Sequence, residues 1–350
     1  MTTLLEQRYR TVLRMLPAYY RAEREEEMVE TYLDDMDEAD QDLARPAWGE
    51  VASIAALSVR TRLGSAGAPP RYAAIGSAVR LFALLSVALL AADALTQRAL
   101  PAAWLTGAAP KDRADFMRTF TGNGVLMGVA QTLLWVLPLA WPVAYAALLR
   151  DRRRAAFTLA LLGAAPSLSY LVGRPMGQGL GVAPSALTVV TAATAWLTVA
   201  AVGCGYHSDA PPARLPFAPA GPALLGTCVL MGGSMVVWPQ GADSVWGSGT
   251  VVVAAGCAWW VARIRASRRG AGTPEPALPL ALAVLGTVVL AQRCALMGLL
   301  TSAQAPYSTI VGGEIQAAAL AALVATLTVS GTRGLLARTK ATAAGAAPHA

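Results

Sequence analysis

The sequence predicts an all-α protein, with a small helical domain over residues 1–64 followed by an integral membrane bundle of about eight helices. Three observations predict it. Only 14% of the 350 residues are charged and 55% are apolar, with a mean hydropathy of +0.48, whereas soluble domains carry roughly 25% charged residues. Apolar runs of near 20 residues recur through the chain, the length needed to cross about 30 Å of hydrocarbon as a helix. Charge is divided unevenly: residues 1–64 hold thirteen acids against eight arginines, the remainder eight acids against twenty basic residues. Two parts facing different solvents follow.

Leu5, Tyr9, Val12, Leu13 and Leu16 recur at helical spacing and make the apolar stripe of a first helix. Pro17 ends or restarts it. Ala22, Val29, Tyr32, Leu33 and Met36 form the stripe of a second helix, whose other faces carry carboxylates. The third helix lies in "RPAWGEVASIAALSVRTRLG", with Trp48, Val51, Ile54 and Leu57 inward and Gly64 as its stop. Three short helices share a small core, and about 60 residues is marginal for independent stability. Residues 65–75, beginning "SAGAPPR", read as a linker, and 332–350 as a flexible tail.

Spans are expected at 76–96, 124–149, 155–173, 182–206, 220–238, 245–264, 277–300 and 313–331, separated by turn residues. Pro138, Pro142 and Pro166 should kink the second and third. Residues 1–64 lack the apolar run and cleavage site of a secretion signal, so the first span should remain as an anchor. With both termini cytoplasmic, 22 Lys and Arg lie inside, including "RDRRR" at 150–154 and "RIRASRR" at 263–269, and five lie outside. A multi-pass protein of the cell membrane is the expected localisation. In the outer connection 97–123, Pro110 starts a short helix that lays Phe116, Met117 and Phe120 on the interface. Trp238 and Trp246 at one outer turn, and Trp259 with Trp260 near an inner boundary, follow the aromatic-belt habit.

Chemistry-bearing motifs are few. Cys204, Cys228, Cys257 and Cys294 fall in apolar runs without a CxxC pair and read as small buried hydrophobes. With two histidines, neither metal nor cofactor is expected. "GRPMGQGLG" at 173–181 has no lysine and no strand before it, so it reads as an outer turn; Walker A, HExxH and GxSxG patterns are missing. Three ionisable residues fall in or at spans: Asp93, Arg293 and Glu314. Intramembrane charges are costly and therefore candidates for function. Arg293 and Glu314 flank one short hairpin, which makes an ion pair between them easy; a structural bridge is the plainer reading. Gln131, Gln292 and Gln316 are placed for interhelical hydrogen bonds.

The stretch "EREEEMVETYLDDMDEADQD", 23–42, holds eleven carboxylates and one arginine. Its carboxylates Glu25, Glu26, Glu27, Glu30, Asp34 and Asp35 are the candidate partner-binding residues, since they would steer a basic protein surface and repel nucleic-acid phosphates. The order "LEQRYRTVLRMLPAYYRAEREEEMVETYLDDM", then "RPAWGEVASIAALSVRTRLG", resembles the HAAS-type signalling domain found at the amino end of actinobacterial multispanning membrane proteins. The resemblance covers about residues 4–64, and "DEADQDLA" is unusually acidic for it. It implies a regulatory role, with a PadR-type regulator as the cytoplasmic partner. A non-enzymatic signalling or regulatory membrane protein is thus the first expectation. A transporter or permease subunit with a regulatory cap is the alternative, and an intramembrane enzyme on Asp93, Arg293 and Glu314 the third. A polar path through the spans would favour transport, and the spans look sparse in polar groups.

Overall fold

The computed structural model describes residues 4–34, 45–64, 68–122, 124–171, 185–207, 219–269, 275–303 and 305–345. The described residues are helical throughout, apart from turns and short connections. Asp35, Met36 and residues 173–181, expected as an outer turn, lie outside the described residues.

The N-terminal domain is made of α1 (Leu4–Leu13), α2 (Ala18–Asp34) and α3 (Trp48–Arg62). Its core is the expected stripe: Leu5, Tyr9, Leu13 and Leu16 are buried, and Val29 and Ile54 complete it. The Tyr9 and Tyr32 rings stack at 4.0 Å. Pro17 separates α1 from α2, and its carbonyl accepts from the amides of Tyr20 and Arg21. The loose carbonyl of Met15 accepts from Ser58 Oγ (2.6 Å) and from Arg62 (2.8 Å), so α3 satisfies the frayed end of α1. Two expected core positions face water instead. Trp48 is 89% exposed, because it opens α3 ahead of Glu50, the first residue on that helix to bond α1. Ala22 is also exposed, and Met28 packs in the core beside Val29.

The bundle comprises α4 (Pro70–Gly107), α5 (Pro110–Thr121), α6 (Val125–Val136), α7 (Ala140–Leu149), α8 (Arg153–Leu171), α9 (Ala186–Gly205), α10 (Ala220–Val237), α11 (Trp246–Arg268), α12 (Ala277–Ser302) and α13 (Tyr307–Gly345). Among the described residues seven helical stretches are long and apolar enough to span, with Val125–Leu149 counted as one. A 3₁₀ turn at Leu137–Leu139 interrupts that span at Pro138, which has no amide proton for an α-helical bond. The expected span at 155–173, α8, falls outside these seven; it is less apolar because Arg153 and Arg154 open it. It nevertheless runs antiparallel along α9: Arg153 donates to the His207 carbonyl at one end, and Trp196 Nε1 donates to Ser167 Oγ (3.1 Å) towards the other. It thus covers most of the depth of a helix that qualifies. Buried alanines (Ala83, Ala91, Ala144, Ala156, Ala160, Ala195) let these helices approach closely.

Two boundaries differ from expectation. Pro70 sits at the first position of α4, so the helix absorbs most of the expected linker. Thirty-eight residues make it about 57 Å long, well beyond the roughly 30 Å hydrocarbon layer. It passes through Pro101 near its C-terminal end. At the other end α13 continues to Gly345 instead of fraying at 332. The helix α5 begins at Pro110 as expected, with Phe116 and Phe120 rings 5.4 Å apart and Met117 exposed. Alternation of the helices leaves the arginines of 150–154, those of 263–269, and Arg333 and Arg338 at the end beside the N-terminal domain, called proximal below; the opposite end is distal.

The cysteines are unpaired thiols, and three of them, Cys204, Cys257 and Cys294, are exposed on the bundle surface rather than buried. A bundle in lipid has an apolar outside, so apolarity of a run does not distinguish its inner from its outer face.

Candidate functional site

Helix α2 sorts its carboxylates by partner. Arg10 reaches across from α1 and holds Glu26 through two bonds of 2.9 Å, while also binding Glu6 at 3.0 Å and lying 3.7 Å from Glu25. This guanidinium lowers the pKa of the Glu26 carboxyl below the ordinary value. Arg21 lies 3.9 Å from Glu25, and Arg24 lies 3.4 Å from Glu27. Of the six expected partner-binding residues, Glu25 and Glu26 therefore belong largely to the domain's own fold. Glu30 and Asp34 are exposed and have no ion-pair partner among the described residues. With exposed Glu23 and Glu27 they form a row at i, i+4, i+7 and i+11, which is one face of a helix. Glu23 is the member that sequence reasoning left out; its spacing to Glu27 and Glu30 was the available signal.

This domain is docked on the bundle. A Cβ on Gly76 of α4 would fall 1.7 Å from the Leu63 carbonyl oxygen, so only glycine permits the contact with the end of α3. Gly64 makes the turn that brings the chain there, with φ +85°, a conformation glycine adopts without strain. Tyr19 adds to the junction: its hydroxyl donates to the Thr61 carbonyl (2.7 Å), and its ring lies 5.3 Å from that of Tyr72.

The three intramembrane candidates do not meet. Arg293 is fully buried, and its guanidinium binds Asp243 in the α10–α11 turn and Gln316 on α13. Gln316 passes the link on by donating to the Trp246 carbonyl (3.0 Å) and Thr250 Oγ1 (3.3 Å). The second Asp243 oxygen accepts from the Val245 amide (2.9 Å), close to the start of α11. Gly249 is the recess for this network, since a Cβ there would lie 2.4 Å from Gln316 Oε1. Glu314, the expected partner, is exposed on the outside of α13. Asp243 was missed; the signal was an acid in a distal turn without a basic neighbour, at the depth of Arg293. Trp238 and Trp246 serve this region too, packed edge to face at 4.9 Å, with Trp238 over Gly312 rather than simply lying in an interfacial belt. The arrangement is a clamp joining the α10–α11 turn to α12 and α13.

Asp93 lies elsewhere, at the wall of a cavity of about 360 Å³ in the distal half of the bundle. Helices α4, α8, α9, α11 and α12 enclose it. Hydroxyls come from Ser86, Ser167, Thr188, Thr191, Thr194, Ser244 and Ser248, and amides from Gln97 and Gln292, over a floor that includes Leu89, Leu285 and Val289. Gln292 donates to Thr194 Oγ1 (3.1 Å), and Ser86 and Thr198 hydroxyls are 2.6 Å apart. Gln97, one turn on, is a side-chain hydrogen-bond partner of Asp93. Among the described residues Asp93 is the only charged side chain in the lining. Arg98, close enough to act on that charge, donates to the carbonyls of Trp135 (3.0 Å) and Ala94 (3.3 Å). Among the described residues no group of three His, Cys, Asp or Glu gathers. The expected sparseness of polar groups is corrected: they are spread over five helices and converge at this one place. No family model, curated protein or solved structure matches the chain.

Proposed function

We propose that this multi-pass membrane protein acts in signalling or regulation, its N-terminal domain engaging a basic surface on a cytoplasmic protein of the PadR-regulator class. The observation that carries the reading is the exposed carboxylate row of Glu23, Glu27, Glu30 and Asp34 on a domain seated against the bundle at Gly76. A solubilising segment needs no fixed seat; a domain that hands on a conformational state does. The excess of arginine at the proximal end supports a cytoplasmic position for the domain, in the cell membrane, with both termini on that side. The resemblance of residues 4–64 to HAAS-type domains supports the same partner class.

The test uses the full chain in lipid nanodiscs and a purified PadR-type regulator. Binding to wild type should weaken steadily as salt rises, because exposed charges are screened within about 8–10 Å at 0.1–0.15 M. Replacing Glu23, Glu27, Glu30 and Asp34 together by serine should lower the affinity about tenfold at low salt and flatten the salt dependence. Equal binding of the two proteins at every salt concentration would remove the physical basis of the proposal. The polar cavity favours a second reading, transport with the domain as a regulatory cap. That reading requires solute flux into proteoliposomes that disappears with Asp93→Asn.

A further inference from the structure

We infer that the distal cavity is a binding site for a small organic cation, a protonated amine with an apolar body, anchored at Asp93. Charge selects the sign of the ligand: among the described residues the lining contains one carboxylate and no cationic side chain. A carboxylate set among hydroxyls offers an ammonium group a charge-assisted bond and further acceptors. Size and apolar floor select the rest of the molecule. About 360 Å³ is far more than a desolvated inorganic ion occupies, and lies within the 300–1,000 Å³ range of small-molecule pockets. Leu89, Leu90, Leu187, Leu285, Val288 and Val289 supply the apolar contact an alkyl or aryl body needs.

The hydroxyl groups do not compete for this role. Ser86, Thr194 and Gln292 are tied to one another's helices by hydrogen bonds and so hold the wall in shape. Asp93 differs: its hydrogen-bond partner Gln97 is a neutral amide on its own helix, and Arg98, which acts on its charge from outside the lining, donates to the carbonyls of Trp135 and Ala94. An ionisable residue at membrane depth is costly and therefore a candidate for function. The site is independent of whether the N-terminal domain binds a regulator, and its test reads ligand binding alone.

The experiment uses the full chain in nanodiscs and three probes at matched concentration: 2-phenylethylamine, its neutral analogue 2-phenylethanol, and sodium ion. Binding is followed by isothermal titration and by protection of the folded protein against heat. The amine should bind saturably, the alcohol about tenfold to a hundredfold more weakly, and Asp93→Asn should bring the amine down to the level of the alcohol. Because Asn is close in shape to Asp, the variant should keep its fold. Ala192→Trp, which fills the cavity while leaving Asp93 in place, should abolish amine binding as well. The inference is overturned if amine and alcohol bind alike, if sodium alone protects, if Asp93→Asn leaves amine binding unchanged, or if none of the probes binds.

Discussion

The clamp at Arg293 makes a prediction that separates the observed partner from the one its sequence neighbourhood suggested. Arg293 is fully buried and Asp243 nearly so, and each is the other's only ion-pair partner among the described residues. Removing one member of a buried pair strands a charge and typically costs about 3–5 kcal/mol, whereas neutralising both with residues of similar shape is often nearly neutral. Asp243→Asn and Arg293→Met should therefore each destabilise by about 3 kcal/mol or more, and the double variant by clearly less than their sum. The coupling should be at the upper end of the usual 0.5–3 kcal/mol for residues in contact. Glu314→Gln alters an exposed side chain and should stay within about 0.5 kcal/mol of wild type. Unfolding of the full chain in detergent micelles, followed by tryptophan fluorescence, suits the site because Trp238 and Trp246 pack beside the turn that holds Asp243. Additive single effects, or a Glu314→Gln cost equal to that of Asp243→Asn, would refute the assignment.

Three further outcomes follow from the structure. In a cysteine-free background, Arg152→Cys and Ser267→Cys should label from the side of the N-terminal domain, and Gln240→Cys and Ala303→Cys from the other; labelling of 152 with 240 would break the alternation. Gly76→Ala would place its Cβ 1.7 Å from the Leu63 carbonyl oxygen, so limited proteolysis of intact protein should cut faster near residues 64–69; an unchanged cleavage pattern would show that the seat is dispensable. Burial first, then the Glu50 carboxylate that accepts its hydroxyl proton at 3.3 Å, pushes Tyr9 from about 10 up to about 12. A raised acid contributes stability that is complete below the unfolded pKa, so an amount on the order of 2 kcal/mol should be lost as pH climbs from about 10 to 12. Tyr9→Phe should remove that alkaline leg and one late tyrosinate transition from the absorbance titration; an unchanged titration would contradict it.

What was legible in the sequence was what depends on near neighbours. The stripe Leu5, Tyr9, Leu13, Leu16 is a local periodicity, and it is buried as its spacing requires. The spans are local too, because crossing lipid needs only length and apolarity. Partner choice is not local. Glu314 looked suited to Arg293 because one hairpin joins them, yet a helix turns about 100° per residue. Gln316, two residues on, therefore points some 200° away from Glu314, and it is Gln316 that faces the arginine. Nothing in residues 293–316 announces that the α10–α11 turn delivers Asp243. The start of α4 was hidden for a similar reason: "SAGAPPR" reads as a linker until Gly64 and Gly76 bring α3 onto the new helix. The cavity was the least visible feature, since five helices contribute its hydroxyls and amides a few at a time.

Both candidate sites share α4. Asp93 and Gln97 line the distal cavity from this helix, and Tyr72 and Gly76 meet the N-terminal domain at its proximal end. The separation from Gly76 to Asp93 is seventeen residues, about 25 Å along a continuous helix. Coupling over such a distance needs an element with two arrangements that both sites bias, and shared membership of one helix does not supply that by itself. The junction, however, limits what α4 can do. With no room for even a Cβ between Gly76 and Leu63, a rotation or a slide of α4 by an ångström must move α3 or separate from it. Ser58 and Arg62 bind the Met15 carbonyl, and Tyr19 binds Thr61, so α3 cannot shift without carrying the α1–α2 turn. The carboxylate row on α2 would then be displaced as part of a rigid unit. If occupancy of the cavity moves α4, amine binding to wild type should change the proteolysis rate near residues 64–69, and Asp93→Asn should abolish that change. Amine binding that leaves the cleavage rate untouched would mean that the cavity and the acidic domain work separately, although they are built on one helix.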